Sequence, residues 1–543
     1  MDVPAQAPLR FWWLKRLAVV YAVVLVALVV THIWWGHAAQ KRMDALVAEI
    51  RGRGEPLLIE DFVEAPVPDA ANAAAWLKQA AGAIVPTTRQ SVLDSWEDGL
   101  PIRPRVRAVL EEVAAANQQP VQLVREARKH PQANWNIALT HPVINSLLLD
   151  FTPQRKLAVL LEQLALYQHE QGDDAEAMEL VRDTLTVGRA MTRYPPTLVS
   201  HLVAIGMSAL SADLVQKIAP ELQIEGGSPA TRPTTRATRR QVEQVIAELL
   251  DESHLVQSAQ RCWQGERMMQ VDTCKLISRQ GMGAVTVGAP TGGTINRWLV
   301  RPLLQMDICR MLRNTTAAER AATMDNWPAA KAALPKDHEI WWGPPLGTVR
   351  MLSSILTPVY GSATDRHFRA LADRRMAAMA MAIRLYQIDH DGQMPVDLKA
   401  LVPRYLPAIP ADPYAADGRP IGYRLDPERP VLYSVGSNGT DEKGSELPNV
   451  RAPSGWMGRS VNRWEREDIV FHLRRAVAPS EETENDEKDV MEDEDGQADD
   501  KSGQQNPDEG PGDDQQEHPP LGTVGGAAEE DGRQDPDQDD AGK

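Results

Sequence analysis

An uncharged apolar segment near the N-terminus limits the folds that this chain can adopt more than any other feature does. Residues 17–40 contain no Asp, Glu, Lys or Arg, and Leu17–Trp35 is rich in Val, Leu and Ala. At ~1.5 Å rise per residue, a helix of this length crosses the hydrocarbon core of a bilayer. Aromatic residues flank it at positions 11–13 and 34–35, as they do in spanning helices. We therefore predict one transmembrane helix over residues 17–36, with the lipid bilayer as its partner.

A cleavable signal peptide is the alternative for this segment, with Gly36-His37-Ala38 as a poor cleavage site. The length of the run and its paired tryptophans favour an uncleaved anchor. Basic residues lie on both sides of the span, so their distribution does not set the orientation. A short segment before a single uncleaved span usually stays inside. We therefore predict a cytoplasmic N-terminus over residues 1–16 and an extracytoplasmic location for the bulk of the chain.

The net charge of −17 over 543 residues comes from the C-terminal end. Residues 480–543 contain 24 acidic and 4 basic residues and no Phe, Trp or Tyr. Such a segment buries too little apolar area to offset chain entropy, which predicts a disordered acidic tail. The rest of the chain carries 51 acidic and 54 basic residues and has no basic stripe with interleaved aromatic residues. We therefore predict no nucleic-acid partner.

Residues 38–360 show the 3.6-residue periodicity of successive amphipathic helices, interrupted by Pro and Gly clusters. The only strand signal in this range is the short segment Ala284–Val287. Residues 164–180 resemble one tetratricopeptide-like hairpin with its turn at Gly172, but a second copy is missing, so a plain α-hairpin is favoured. A helix joining Cys262 to Cys274 would hold them ~18 Å apart, too far for a disulfide. Free thiols are therefore favoured, and a bridge requires the chain to turn back.

No linear catalytic signature is found in the chain. The G-x-S-x-G, H-E-x-x-H and G-x-x-x-x-G-K-[ST] patterns are absent. We therefore predict that the protein is not an enzyme. An envelope hydrolase is the alternative, with a site assembled from scattered carboxylates such as Glu170, Asp173 and Glu266, although nothing in the sequence selects them.

Residues 364–475 predict a small α+β domain. Apolar positions recur along a helix over Arg366–His390, which Gly392 ends. A short helix over Asp397–Leu406 and strands at Ile421–Leu425 and Val431–Val435 follow, and a last strand begins near Asp468.

The order of short motifs in residues 364–475 resembles the soluble domain of the major pseudopilin of type II secretion systems. The matching residues are Tyr386, Asp389, Gly392, Pro395, Ile409, Pro410, Asp412, Pro413, Tyr423, Tyr433, Ser434, Gly436, Gly439, Asp468 and Ile469. The family's leader peptide and its continuous N-terminal helix are not found next to this domain. Tyr414-Ala415 replaces the family's Trp-Gly, and the loop before Asp468 is longer. The resemblance implies a pilin-like fold, but filament assembly is the weaker inference.

The family's loop binds calcium, so the resemblance implies a calcium site here. Asn438 occupies the position of a family aspartate, Asp468 matches the closing aspartate, and Asp441 and Glu442 add charge to the loop. Calcium prefers such hard oxygen ligands. We select Asn438, Asp441 and Asp468 as the candidate metal ligands. The alternative is a turn held by its own hydrogen bonds without a metal.

Taken together, these features predict a mainly α protein with a small α+β C-terminal domain. The predicted order is a transmembrane helix at 17–36, a helical domain at 38–360, a pseudopilin-like domain at 364–475 and a disordered tail at 480–543. The function expected is that of a membrane-anchored scaffold or interaction protein, with envelope, secretion or pilus proteins as partners. A divergent pseudopilus subunit is a further alternative.

Overall fold

The computed structural model describes residues 12–96, 99–143, 150–227, 235–280, 294–335, 351–448 and 463–475. Within these ranges the predicted fold class is confirmed, because the chain is mainly helical with a three-stranded antiparallel sheet near its C-terminus. The predicted strand at residues 284–287 and the predicted acidic tail lie outside the described residues.

The first helix, α1 (Trp12–Gly52), contains the apolar segment and continues well beyond it. Its apolar part is long and hydrophobic enough to cross a membrane, with a mean hydropathy of 2.5 and none of it buried inside the protein. Its C-terminal part, by contrast, is buried at Ala39, Met43, Leu46 and Ile50. One helix therefore joins the candidate span to the folded body.

A series of helices follows α1 along the chain and forms the helical body. They are α2 (Ala73–Gly82), α3 (Gln90–Asp94), α4 (Pro104–Ala116), α5 (Gln118–Arg128), α6 (Thr152–Gln171), α7 (Asp174–Met191), α8 (Leu198–Ile218), α9 (Arg239–Leu250), α10 (Ser253–Gln280), α11 (Thr294–Ala322), α12 (Trp327–Ala333) and α13 (Met351–Asp389).

Helices α6 and α7 form the predicted α-hairpin. Gly172 ends α6 with a φ of 83°, a left-handed conformation that glycine adopts without steric cost. The side chain of Asp173 then accepts a hydrogen bond from the backbone N–H of Glu176 and caps α7. Cys262 and Cys274 both lie on the continuous helix α10, where both side chains are buried and neither forms a disulfide.

A second helix, α8, is also long and apolar enough to cross a membrane, with a mean hydropathy of 1.7. More than half of it is buried inside the protein, where it packs against α7, α10 and α13. These contacts make α8 a central helix of the folded body.

Helix α13 packs against three helices of the helical body, α8, α9 and α11. Its run Met376–Ile383 is buried on every side because small Ala residues alternate with Met. Arg374, also buried, donates to the carbonyls of Leu249 and Asp251 at the end of α9. The helix begins at Met351, fifteen residues before the predicted start, so the predicted domain boundary at 360–364 falls inside it.

The sheet consists of β1 (Gly422–Arg424), β2 (Val431–Ser434) and β3 (Ile469–His472), with β2 in the middle. Tyr433 pairs with Gly422 on one side and with Val470 on the other. The predicted short helix at Asp397–Leu406 is wrong in extent. Only a 3-10 turn forms, at Leu398–Leu401, and a Pro at position 403 follows it.

Candidate metal site in the C-terminal module

The candidate site lies in the loop that follows β2. The loop needs left-handed backbone at Gly436 (φ 62°) and Gly444 (φ 78°). Each glycine also approaches a neighbour closely. A Cβ at Gly436 would lie 3.1 Å from the carbonyl oxygen of Glu467, and one at Gly444 would lie 3.2 Å from Val431 Cγ2. These two glycines let the loop fold back over the sheet toward Asp468.

Asp468, directly before β3, is fully buried. Its Oδ2 accepts hydrogen bonds from the backbone N–H groups of Gly444 (2.7 Å) and Ser445 (3.2 Å). Its Oδ1 is buried and has no hydrogen-bond partner. Burial, together with the nearby charge of Glu442, raises the pKa of Asp468 to about 6. At neutral pH this carboxylate is therefore charged and incompletely satisfied.

Glu442, like Asp468, has one carboxylate oxygen with a hydrogen-bond partner and one without. Its Oε1 accepts a hydrogen bond from Asn438 Nδ2 (3.1 Å), whereas its Oε2 is buried without a partner. Asn438 Oδ1 accepts from the backbone N–H of Thr440 (2.9 Å), which fixes the orientation of the amide. The nitrogen of Asn438 therefore faces Glu442, and its oxygen is already in use.

Asp441 faces a different set of groups. One of its oxygens accepts from the phenol of Tyr433 (3.1 Å), and the other pairs with Arg419 (3.1 Å). Its charge is therefore compensated by the protein itself. Of the predicted ligands, the structure brings Asn438 and Asp468 to Glu442 and directs Asp441 to an arginine. Glu442 is visible in the sequence as a loop carboxylate, but no sequence feature separates it from Asp441.

The donor chemistry of this loop fits a hard divalent cation. Asp468 and Glu442 each present one buried oxygen without a hydrogen bond, and two like charges at close range repel. A cation bound at either oxygen would satisfy it, and loop carbonyls or water would complete the six to eight ligands that calcium prefers. Across the described ranges, no group of three or more His, Cys, Asp or Glu side chains is placed to hold a metal. The two carboxylates would therefore need backbone oxygens as partners.

The carboxylates weighed for a hydrolase have structural contacts. Glu170 pairs with Arg107 and accepts from the N–H of Ile102. Asp173 caps α7, and Glu266 accepts from the N–H of Leu198 at the start of α8 (2.9 Å). Each of the three anchors a different chain segment.

Comparisons of the chain with family models, with curated proteins and with solved structures found no match. The resemblance to the major pseudopilin therefore stays a prediction that is carried by the motifs of residues 364–475 alone.

Proposed function

We propose that this protein is a membrane-anchored extracytoplasmic scaffold. One span holds it in the bilayer, and its pseudopilin-like module contacts envelope proteins of a secretion or pilus system. In this proposal the loop between β2 and β3 binds calcium, which stabilises the surface that the module presents.

The continuity of α1 carries the proposal. The helix passes without a break from an apolar segment that is not buried inside the protein into a segment with one buried face. Its buried residues Met43, Leu46 and Ile50 belong to one apolar cluster with residues of α10 and α11, among them Val271 and Leu312. A body joined to its anchor by a packed helix keeps a fixed distance from the membrane, which suits a protein that positions partners.

The scaffold proposal makes a topology claim that a fusion tests directly. A reporter enzyme that is active only outside the cytoplasm is fused after Arg475, and a second one replaces the residues before Trp12. The first fusion is expected to be active and the second inactive. The reverse pattern would place the body in the cytoplasm and end the proposal.

Partners are sought by crosslinking intact cells before the membranes are solubilised and the protein is purified. Envelope machinery is expected among the crosslinked proteins. A variant in which Val396, 86% exposed beside the sheet, is changed to Asp provides the comparison. Loss of the crosslinks in this variant supports a contact made by the module. An uncrosslinked protein that turns over a hydrolase substrate would favour the alternative function.

The calcium claim is tested on the full chain in detergent. Thermal melting is compared in chelator, in millimolar calcium and in millimolar magnesium, for the native protein, Glu442→Gln and the exposed control Glu428→Gln. Calcium is expected to raise the melting temperature of the native protein and of Glu428→Gln, more than magnesium does. Glu442→Gln should lose the response. No calcium shift in the native protein would remove the metal from the proposal.

A further inference from the structure

Helices α1 and α11 pack side by side and run in the same direction. His32 contacts the carbonyl of Trp298 (3.0 Å), Gln40 contacts Gln305 (2.6 Å) and Met43 contacts Cys309 (3.8 Å). Between these contacts Gly36 faces Pro302, whose Cγ would lie 3.7 Å from a Cβ added at the glycine. The residue numbers therefore rise together along both helices. This register fixes how deep α11 lies relative to the candidate span.

A missing hydrogen bond in α11 is supplied by α1. Pro302 lies inside α11 and has no N–H, so the carbonyl of Trp298, four residues earlier, lacks its helical donor. The Nε2 of His32 lies 3.0 Å from that carbonyl oxygen and donates to it. The two rings are also in contact, with centroids 4.0 Å apart. Within an apolar environment such a freed carbonyl needs a neighbouring donor, and His32 provides one.

The depth of Trp298 follows from its partner. The apolar run of α1 ends at Trp35, and His32 lies ~4.5 Å before that end along the helix axis. Trp298 is therefore level with the last turn of the candidate span. Trp298 and Leu299 are 41% and 47% exposed, although both are large and apolar. Trp34, on the same turn of α1, is 70% exposed.

Basic residues follow the aromatic residues by about one turn on α11 and by about two turns on α1. Arg301 on α11 and Lys41 and Arg42 on α1 are exposed, and Arg301 lies beside Gln40. Tryptophan at the boundary and cations beyond it is the order of side chains at a membrane interface, where the cations face lipid phosphates.

We propose that the N-terminal end of α11 is a second membrane contact, seated in the boundary between phospholipid headgroups and acyl chains through Trp298 and Leu299. The partner is the bilayer that holds α1, so the inference rests on the anchoring proposed above. Two side-by-side helices at the surface would fix the tilt and rotation of the body, which a single span leaves free.

The test uses the full chain reconstituted in vesicles of phosphatidylcholine and phosphatidylglycerol. A polarity-sensitive fluorophore is attached to Leu299→Cys, to Leu28→Cys within the span and to Val396→Cys on the exposed module. All three native positions are exposed, so the substitutions spare the core. The native protein, whose three thiols are buried, serves as the labelling blank.

Lipids that carry a quencher near the headgroup are expected to reduce the emission of the Leu299→Cys probe, and its emission should be blue-shifted relative to that of Val396→Cys. Lipids with a quencher deep in the acyl chain should act most on Leu28→Cys. If Leu299→Cys behaves like Val396→Cys while Leu28→Cys is quenched, the anchor stands and the second contact is overturned. If Leu28→Cys is not quenched either, the anchor itself fails, and the inference fails with it.

Discussion

The phenol of Tyr414 donates a hydrogen bond to the carboxylate of Asp365 on α13 (2.8 Å). Tyr414 is fully buried, and burial followed by the charge of Asp365 raises its pKa well above the ordinary value, so the hydroxyl stays protonated and acts as the donor. This hydrogen bond joins the turn before β1 to α13, the helix that packs against α8, α9 and α11.

Replacing Tyr414 with Phe removes that donor and leaves a buried carboxylate with one partner fewer. We expect a loss of about 1–3 kcal/mol in the free energy of unfolding, measured by chemical denaturation in detergent. Tyr423→Phe is the control, because the hydroxyl of Tyr423 is only partly buried and donates to the carbonyl of Pro395 (2.9 Å). Equal losses in the two variants would contradict the importance assigned to the bond with Asp365.

Arg267 on α10 is fully buried and pairs with Glu55 and Glu319, both at 2.7 Å. Arg267→Met keeps much of the side-chain volume and leaves Glu319, itself buried, without its cation. We expect destabilisation by about 3–5 kcal/mol. Arg261→Met on the same helix removes a partly exposed pair with Glu64 and should cost at most about 1 kcal/mol. Similar values for the two arginines would show that the buried pair contributes little.

Gly265 on α10 passes directly against the turn before α8. A Cβ at this position would lie 1.6 Å from the carbonyl oxygen of Pro196, so Gly265→Ala forces the two segments apart. We expect a loss of about 3 kcal/mol or more. Gly206→Ala is the matched change, because that glycine lies inside α8 with open space around it, and it should gain about 0.5–1 kcal/mol. Melting curves measure both effects: the melting temperature should fall in Gly265→Ala and rise in Gly206→Ala.

The pKa of Asp468 predicts a dependence of stability on pH. Its value of about 6 in the folded protein, against 3.8 for an unperturbed aspartate, means that the folded state binds the proton more tightly between those two values. Without calcium, stability from this residue therefore falls as pH rises from about 4 to about 6, and it stays reduced above that range. The loss is at most about 3 kcal/mol.

Asp468→Asn isolates this effect from those of other buried carboxylates. The amide keeps an acceptor for the N–H groups of Gly444 and Ser445 and carries no charge. In chelator the variant should be more stable than the native protein at pH 7.5 and no more stable at pH 4, as read from melting curves. Glu428→Gln should follow the native protein at both values. A difference between Asp468→Asn and the native protein that is independent of pH would contradict the assignment.

Local patterns account for much of the fold. The apolar run, the α6–α7 turn at Gly172 and the strand at Val431–Ser434 are each set by neighbouring residues, and the sequence is sufficient to predict them. The length of α13 could not be predicted from such patterns. Its central run is buried on all sides and therefore has no single apolar face. The ion pairs of Arg267 join residues more than 200 and about 50 positions away, which no local pattern reveals.

The sequence locates the loop of the candidate site, whereas the contacts made by each side chain in it depend on the fold. The spacing of the motifs located the loop and Asp468. The choice between Asp441 and Glu442 depended on Arg419 and Tyr433, which come from elsewhere in the chain and compensate only Asp441. Neighbouring carboxylates of one loop thus differ in their partners because of tertiary contacts.

The contacts of α13 have a consequence for how this architecture tolerates deletion and substitution. A domain joined to a protein by a flexible linker can be removed without disturbing the rest of the fold. The three-stranded sheet here instead packs on α13, which also packs in the helical body. Removing the module together with α13 would expose the apolar surfaces of α8 and α9. Moving it to another protein would expose the matching surface of α13. A substitution along α13 therefore changes the packing of the sheet and of the helical body together.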